Sequence, residues 1–319
     1  MNDNYKHTSV LLNETITNLN IKPDGIYIDC TFGYGGHSKE ILKNLGKNGK
    51  LYSIDKDPDA IQIANKLKYD SRFNILHGSF SNILKNFNKN YTQKKVNGIL
   101  LDLGMSSMQI DNPNRGFSFL SDGPLDMRMN PNQGIPAYQW LKKTSAKKLY
   151  HILKKYGEER FAKKISLEIL KYNKKTQITR TIELSDIIKK IIPYTKYNKH
   201  PARLTFQAIR IYINQEIYEL KTALKTILNL LTHHGRLLVI SFHSLEDRIV
   251  KNFMNKHSKL PYAPSGFPIT EQQLKSLNKI QLKIFKKIFP SKIEMNINKR
   301  SRSAILRIAE KINTHGQEL

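Results

Sequence analysis

Cysteine occurs once in the 319 residues, at Cys30, and tryptophan once, at Trp140. A single thiol forms no internal disulfide, which excludes the disulfide-stapled secreted scaffold. No apolar run approaches the roughly 18 residues that cross a bilayer, and Met1-Asn2-Asp3-Asn4 has no basic-then-apolar leader layout. A cytoplasmic protein, with no membrane partner, is expected. No Cys/His cluster or H-E-x-x-H spacing exists, so no metal site is expected. Acidic residues are scarce as well: 26 Asp and Glu stand against 53 Lys and Arg, a net charge of +27.

Such a balance favours a polyanionic partner. Of the 53 cations 41 are lysine, a bias that an AT-rich genome also produces, so charge alone leaves plain solvated surface open. The distribution is more telling. Residues 106–205 hold 20 basic and 8 acidic residues, net +12, while the other 219 positions carry +15.

The first hundred residues alternate strand and helix patterns. Strands are expected at 25–31, 50–55, 73–77 and 96–103, the last apolar enough to be central. Helices are expected at 37–45 and 58–67, and Pro58 suits a first helical turn. This alternation predicts an α/β fold, a parallel sheet with helices on both faces. Residues 106–136 read as a long ordered loop and 140–193 as helical. A single amphipathic helix is expected from Thr205 to Leu231, a fifth strand at 235–242, and two final strands around 282–289 and 303–309. The organisation expected is a discontinuous sheet domain, 1–105 with 206–319, interrupted by a mainly helical insertion at 106–205.

Four features fall at the carboxyl ends of consecutive strands, where parallel sheets bind ligands. They are Gly33-Tyr34-Gly35-Gly36, Asp55, Gly78-Ser79-Phe80 and Asp102-Leu103-Gly104. Asp55 follows the glycines by about 20 residues, where a carboxylate accepts from ribose hydroxyls; a helix cap by Asp55 or Asp57 is the plainer alternative. The glycine spacing is neither a Walker loop nor a clean G-x-G-x-x-G. Acidic groups without a basic phosphate partner favour a cationic nucleoside cofactor, S-adenosylmethionine before NAD.

Longer motifs make the resemblance specific. They include His7-Thr8-Ser9-Val10-Leu11-Leu12, Leu101-Asp102-Leu103-Gly104-Met105-Ser106-Ser107, Arg115-Gly116-Phe117-Ser118-Phe119 and Leu125-Asp126-Met127-Arg128-Met129. Tyr156-Gly157-Glu158-Glu159-Arg160-Phe161-Ala162, Thr205-Phe206-Gln207-Ala208-Ile209-Arg210-Ile211 and Ser241-Phe242-His243-Ser244-Leu245-Glu246-Asp247-Arg248 continue the series. From His7 to about Lys311 the chain resembles the MraW family of ribosomal RNA methyltransferases. The resemblance implies a Rossmann-like class I methyltransferase sheet and S-adenosyl-L-methionine as cofactor. The implied reaction is N4-methylation of a cytosine in 16S rRNA at the decoding centre, with the assembled small ribosomal subunit as partner. By motif match it places cofactor contacts on Gly35, Gly36, His37, Asp55, Phe80, Asp102 and Gln109. The arginine of the family's Ala-Thr-Arg-Thr stands one position early here, at Arg203.

An exocyclic amine is a poor nucleophile, and acceptors beside it help by taking its proton. Asp102, Ser106 and Ser107 are the expected catalytic groups, because they follow the fourth strand. His243 is a further candidate for the same pocket, and Phe117, Phe119 and Phe242 are candidates for base stacking. Arg115, Arg128, Arg160, Lys163, Lys164, Arg203, Arg210 and Arg248 are the expected RNA contacts, arginine's planar fork suiting phosphates and bases. A noncatalytic RNA-binding factor and a nicotinamide oxidoreductase are the rival readings.

Overall fold

A computed structural model describes residues 9–192, 200–259 and 280–312. His7 and Thr8 of the first motif lie outside the described residues. In chain order the elements are α1 (Leu12–Leu19), β1 (Ile26–Asp29), α2 (Gly36–Asn44), β2 (Lys50–Asp55), α3 (Pro58–Asn65), β3 (Phe73–His77), α4 (Phe80–Lys85) and α5 (Phe87–Asn90). Next come β4 (Val96–Asp102), α6 (Ser107–Asp111), α7 (Ala137–Lys143), α8 (Ala146–Gly157), α9 (Ala162–Lys175), α10 (Thr181–Ile191), α11 (Arg203–Ile213) and α12 (Glu216–Leu230). The chain continues through β5 (Leu231–Ser241), α13 (Ser244–Ser258), β6 (Leu282–Ile284), α14 (Lys292–Ile297) and β7 (Ile305–Lys311). None of the described helices is long and apolar enough to cross a membrane.

Two compact units divide the chain: residues 1–104 with 219–319, and residues 105–218. In the first, the described strands form one mixed sheet in the order β3-β2-β1-β4-β5-β7-β6. β1 to β5 run parallel, and β7 enters antiparallel between β5 and β6. β4 is central because Ile99, Leu100 and Leu101 are buried on both faces, as an uninterrupted apolar run requires. The strand order reverses between β1 and β4. In parallel sheets that reversal opens the ligand crevice at the carboxyl edge. Register sets Asp29 beside both Ser53 and Leu100, and Asp55 beside His77. The acids ending β1, β2 and β4 thus share one edge.

The second unit has its own core, in which Leu125, Met127, Leu141, Leu149, Leu153, Ile165, Ile169, Leu184, Ile188 and Ile209 are buried. It runs to Tyr218 rather than stopping at residue 205, because α11 packs on α8. Gly157 lets the two helices approach: a Cβ there would lie 2.6 Å from the Leu204 carbonyl oxygen. The single helix expected from Thr205 to Leu231 is two helices. The Asn214 side chain leaves the helical path to donate to the Met127 carbonyl and accept from the Met129 amide, both at 2.7 Å. Gln215 then turns left-handed, with φ 54°, and α12 starts afresh. The loop expected over 106–136 contains α6 and one 3-10 turn at Pro113–Arg115.

Candidate active site

The turn after β1 is built around two glycines. Gly35 precedes α2 with φ 76°, and a Cβ there would lie 2.5 Å from the Phe32 ring. At Gly36 a Cβ would lie 2.0 Å from the Ser9 hydroxyl. The chain's own packing therefore demands both glycines before any ligand is considered.

Asp55 closes this turn. Its Oδ2 accepts from the Gly33 amide at 2.8 Å and its Oδ1 from the Asp57 amide at 2.9 Å. The helix cap of α3 is Asp57, whose side chain accepts from the Asp59 amide. Asp55 is thus free of capping duty, and each of its oxygens retains acceptor capacity. Burial raises its pKa, opposed by the amides of Asp57 and Gly33.

Asp102 ends β4, and its backbone amide donates to Thr31 Oγ1 at 2.7 Å. Its side chain is 24% exposed overall, yet Oδ1 is shut off from solvent and has no hydrogen-bond partner. Oδ2 faces His37 Nδ1 at 3.7 Å. The other His37 nitrogen, Nε2, lies 3.2 Å from the Val10 carbonyl, so Nε2 carries the hydrogen. Burial first, then the charges of Asp29 and Glu246, hold the Asp102 carboxyl well above the usual range.

Asp29 was not among the expected site residues, although it ends β1 as Asp55 ends β2. It is fully buried, accepts from Ser38 Oγ at 2.6 Å and from the Thr31 amide at 3.1 Å, and Ser38 also meets Ser53 at 2.7 Å. Burial lifts its pKa to about 7, against the Ser38 hydrogen bond. An acid closing the first strand before a glycine turn was the available signal. Phe80 opens α4 past the end of β3 and packs half-buried on the core. Gly35, Gly36, His37, Asp55 and Asp102 are thus gathered, with Asp29, at the turn after β1 and the neighbouring strand ends.

Other candidates have more local duties. Ser106 and Gln109, in the second unit, form a capping box on α6, each side chain accepting from the other's amide. Ser107 is buried beside them. His243 caps α13, its Nδ1 accepting from the Glu246 amide at 3.3 Å. Phe117 lies in the second core, and Phe119 stacks on His200 with ring centroids 4.6 Å apart. Phe242 remains half-buried.

Three of the expected RNA arginines are committed within the protein. Arg115 is buried and donates to the carbonyls of Arg128 and Met129. Arg128 makes a two-pronged pair with Asp126 at 2.7 and 2.6 Å, and Arg210 does the same with Glu216 at 2.9 Å twice. Arg160, Lys163, Lys164, Arg203 and Arg248 are exposed. Asp247, adjacent to Arg248, pairs instead with Arg307.

A sheet in this strand order, with one antiparallel strand, a glycine turn after β1 and acids closing β1, β2 and β4, defines a class I S-adenosylmethionine-dependent methyltransferase. The chain belongs to the MraW methylase family, whose model matches residues 4–312. Three similar proteins from Buchnera aphidicola carry the name ribosomal RNA small subunit methyltransferase H. That of subspecies Baizongia pistaciae is 71% identical over 313 residues, covering 98% of this chain and 99% of the relative. Those of subspecies Schizaphis graminum and Cinara cedri are 55% and 57% identical, covering 97% and 95% of this chain and 99% of each relative.

Proposed function

We propose that the chain methylates the exocyclic N4 of a cytosine in 16S ribosomal RNA, at the decoding centre of the assembled small subunit. Family membership and the names of the relatives support the ribosomal RNA substrate. The observation that carries the chemistry is Asp102 Oδ1, a buried acceptor with no partner at the carboxyl end of the central strand. Such an atom is costly unless something donates to it.

The residues fit the cofactor. Asp55 keeps acceptor capacity for two ribose hydroxyls, and the acids closing β1, β2 and β4 suit a cationic group. Gly35, Gly36, His37 and Phe80 complete the contacts assigned within the first unit. When bound, S-adenosylmethionine supplies a sulfonium-activated methyl group for direct displacement. The chain's own part is alignment and proton removal. The Asp102 carboxylate, 24% exposed at the strand end, accepts from the amine, holding its lone pair toward the methyl group and taking the proton as charge develops on nitrogen. A raised pKa makes this carboxylate a stronger base than an exposed aspartate.

Attack at carbon 5 would instead need a thiolate joined covalently to the ring. Cys30 is the only thiol. It is buried in the core, where burial and neighbouring Asp29 push its pKa well above the ordinary value. Cys30→Ala is therefore expected to retain most activity, and RNA with 5-fluorocytosine at the target should form no denaturation-resistant adduct. An adduct lost in Cys30→Ala would end the N4 reading. The direct test of function is labelled methyl transfer to small subunits from a methylation-deficient strain, followed by nucleoside analysis. Recovery of any product other than N4-methylated cytidine refutes the proposal.

The exposed cations Lys163, Lys164 and Arg203 are assigned to RNA phosphates. Replacing all three with Gln should weaken subunit binding and lower its log–log salt slope by roughly 0.7–0.9 per lost contact. Cofactor affinity measured by calorimetry should not change. An unaltered slope would reduce these charges to solvated surface.

A further inference from the structure

The second unit carries a groove that neither the expected contacts nor the family match assigns. It lies beside α8, has a volume of about 430 Å³, and is lined by Lys147, Lys148, His151, Lys155, Tyr156 and Tyr212 among others. Its size suits a small planar group rather than a protein segment.

Its composition is specific. Two tyrosine rings and Ile152 supply apolar surface, and the lysines are exposed at the rim. Lys148 and Lys155 stand seven residues apart, about two helical turns, so α8 sets both ammoniums on one stripe. Residues 137–175 hold 12 basic and 3 acidic residues, net +9, much denser than the chain as a whole. Each ring has an ammonium above it: Lys148 lies 5.4 Å from the Tyr212 centroid, and Lys155 lies 5.4 Å from that of Tyr156. An exposed lysine–ring contact is weaker than a base–aromatic stack. A base entering the groove therefore displaces the ammonium, which is then free to meet a neighbouring phosphate. Cations flanking open aromatic faces are how proteins hold unpaired nucleotides. A second groove, of about 380 Å³, shares Lys147 and is lined by Tyr150 and Lys163 among others.

We propose that the α8 groove binds an unpaired base of the substrate RNA, other than the reacting cytosine, with Lys148 and Lys155 on the adjoining phosphates. This rests on the ribosomal RNA substrate proposed above. It gives the second unit a defined reading of single-stranded RNA instead of a diffuse positive surface.

The test uses the full chain and a fluorescein-labelled twelve-nucleotide oligouridine, with a twelve-base-pair RNA duplex and a twelve-residue polyglutamate for comparison. K148Q/K155Q should lower the salt slope for oligouridine by about 1.4, at roughly 0.7 per single-strand phosphate contact. K148R/K155R should restore it. Y156L should weaken oligouridine binding about tenfold, within the range for loss of one base stack, while duplex binding changes less than about twofold. Y156F, which keeps the ring, should bind as wild type. Circular dichroism and thermal melting report folding, and if Y156L fails that check the lysine pair still decides. Wild-type slope and affinity in K148Q/K155Q, or equal losses on duplex and oligouridine in Y156L, overturn the proposal. Polyglutamate competing as well as oligouridine would also overturn it, making the groove a site for acidic protein. Methyl transfer to small subunits separates the two levels. Wild-type protein that transfers none refutes the RNA substrate. Wild-type protein that transfers methyl while the variants bind oligouridine normally refutes the groove alone.

Discussion

Asp55→Ala is expected to weaken cofactor binding by on the order of 30- to 1,000-fold. Hydrogen bonds to a charged acceptor contribute roughly 1.5–3 kcal/mol each and rarely add fully, so losing two ribose contacts should cost about 2–4 kcal/mol. A second effect acts in the same direction. Asp55 ties the Gly33 and Asp57 amides at 2.8 and 2.9 Å, so its removal also releases the glycine turn. The helix is spared, because Asp57 and not Asp55 caps α3. Asp55→Asn should fall between wild type and alanine, since it keeps one acceptor but turns an N–H toward groups that already donate. Calorimetry with the cofactor checks the series, with circular dichroism to confirm the fold. Affinity within about threefold of wild type in Asp55→Ala would remove Asp55 from the cofactor site.

The parallel part of the sheet was legible because each strand carries two agreeing signals. The apolar runs at 50–55, 73–77 and 96–102 end in Asp, His or Asp before a turn or helix start, and β2 and β3 fall at the expected residues. The break between α11 and α12 was not legible. The hydrophobic period runs straight through it, and the cause is Asn214 bonding to Met127 and Met129, more than 80 residues away. The arginines divide for the same reason. The Arg128 partner is two residues off at Asp126 and was readable in the Leu-Asp-Met-Arg segment, whereas Arg115 is held by backbone carbonyls that no side-chain pattern reveals. Asp29 has a strand-end acid's position in the sequence, but its burial and its bond to Ser38 arise only when α2 packs against β1 and β2. Ser106 and Gln109 form the spacing of a capping box. That local duty competes with any chemical role read into the serine.

Asp102→Asn is expected to lower the methyl-transfer rate by about 10²- to 10⁴-fold, the usual worth of a positioned proton acceptor. Asparagine preserves the shape, and the Asp102 amide bond to Thr31 is a backbone contact that the change does not touch. What disappears is the capacity of the carboxylate to take a proton. Two pH readouts separate this from a structural role. Asp102 must be ionised to act, so the wild-type rate should climb with pH through its raised pKa; the asparagine variant should lack that limb. Stability should move the opposite way. A carboxyl whose folded pKa lies above its unfolded value binds more protons when folded, so stability is lost as pH rises from about 4 toward the folded pKa. Burial and the charges of Asp29 and Glu246 raise Asp102 in that sense. The cofactor-free variant should therefore melt higher than wild type near neutral pH and show a flatter decline as pH rises above about 4. That pattern, slower transfer with greater stability, is expected where a buried charge is retained for chemistry rather than for folding. An asparagine variant that transfers methyl groups at the wild-type rate would show that the proton leaves by another route.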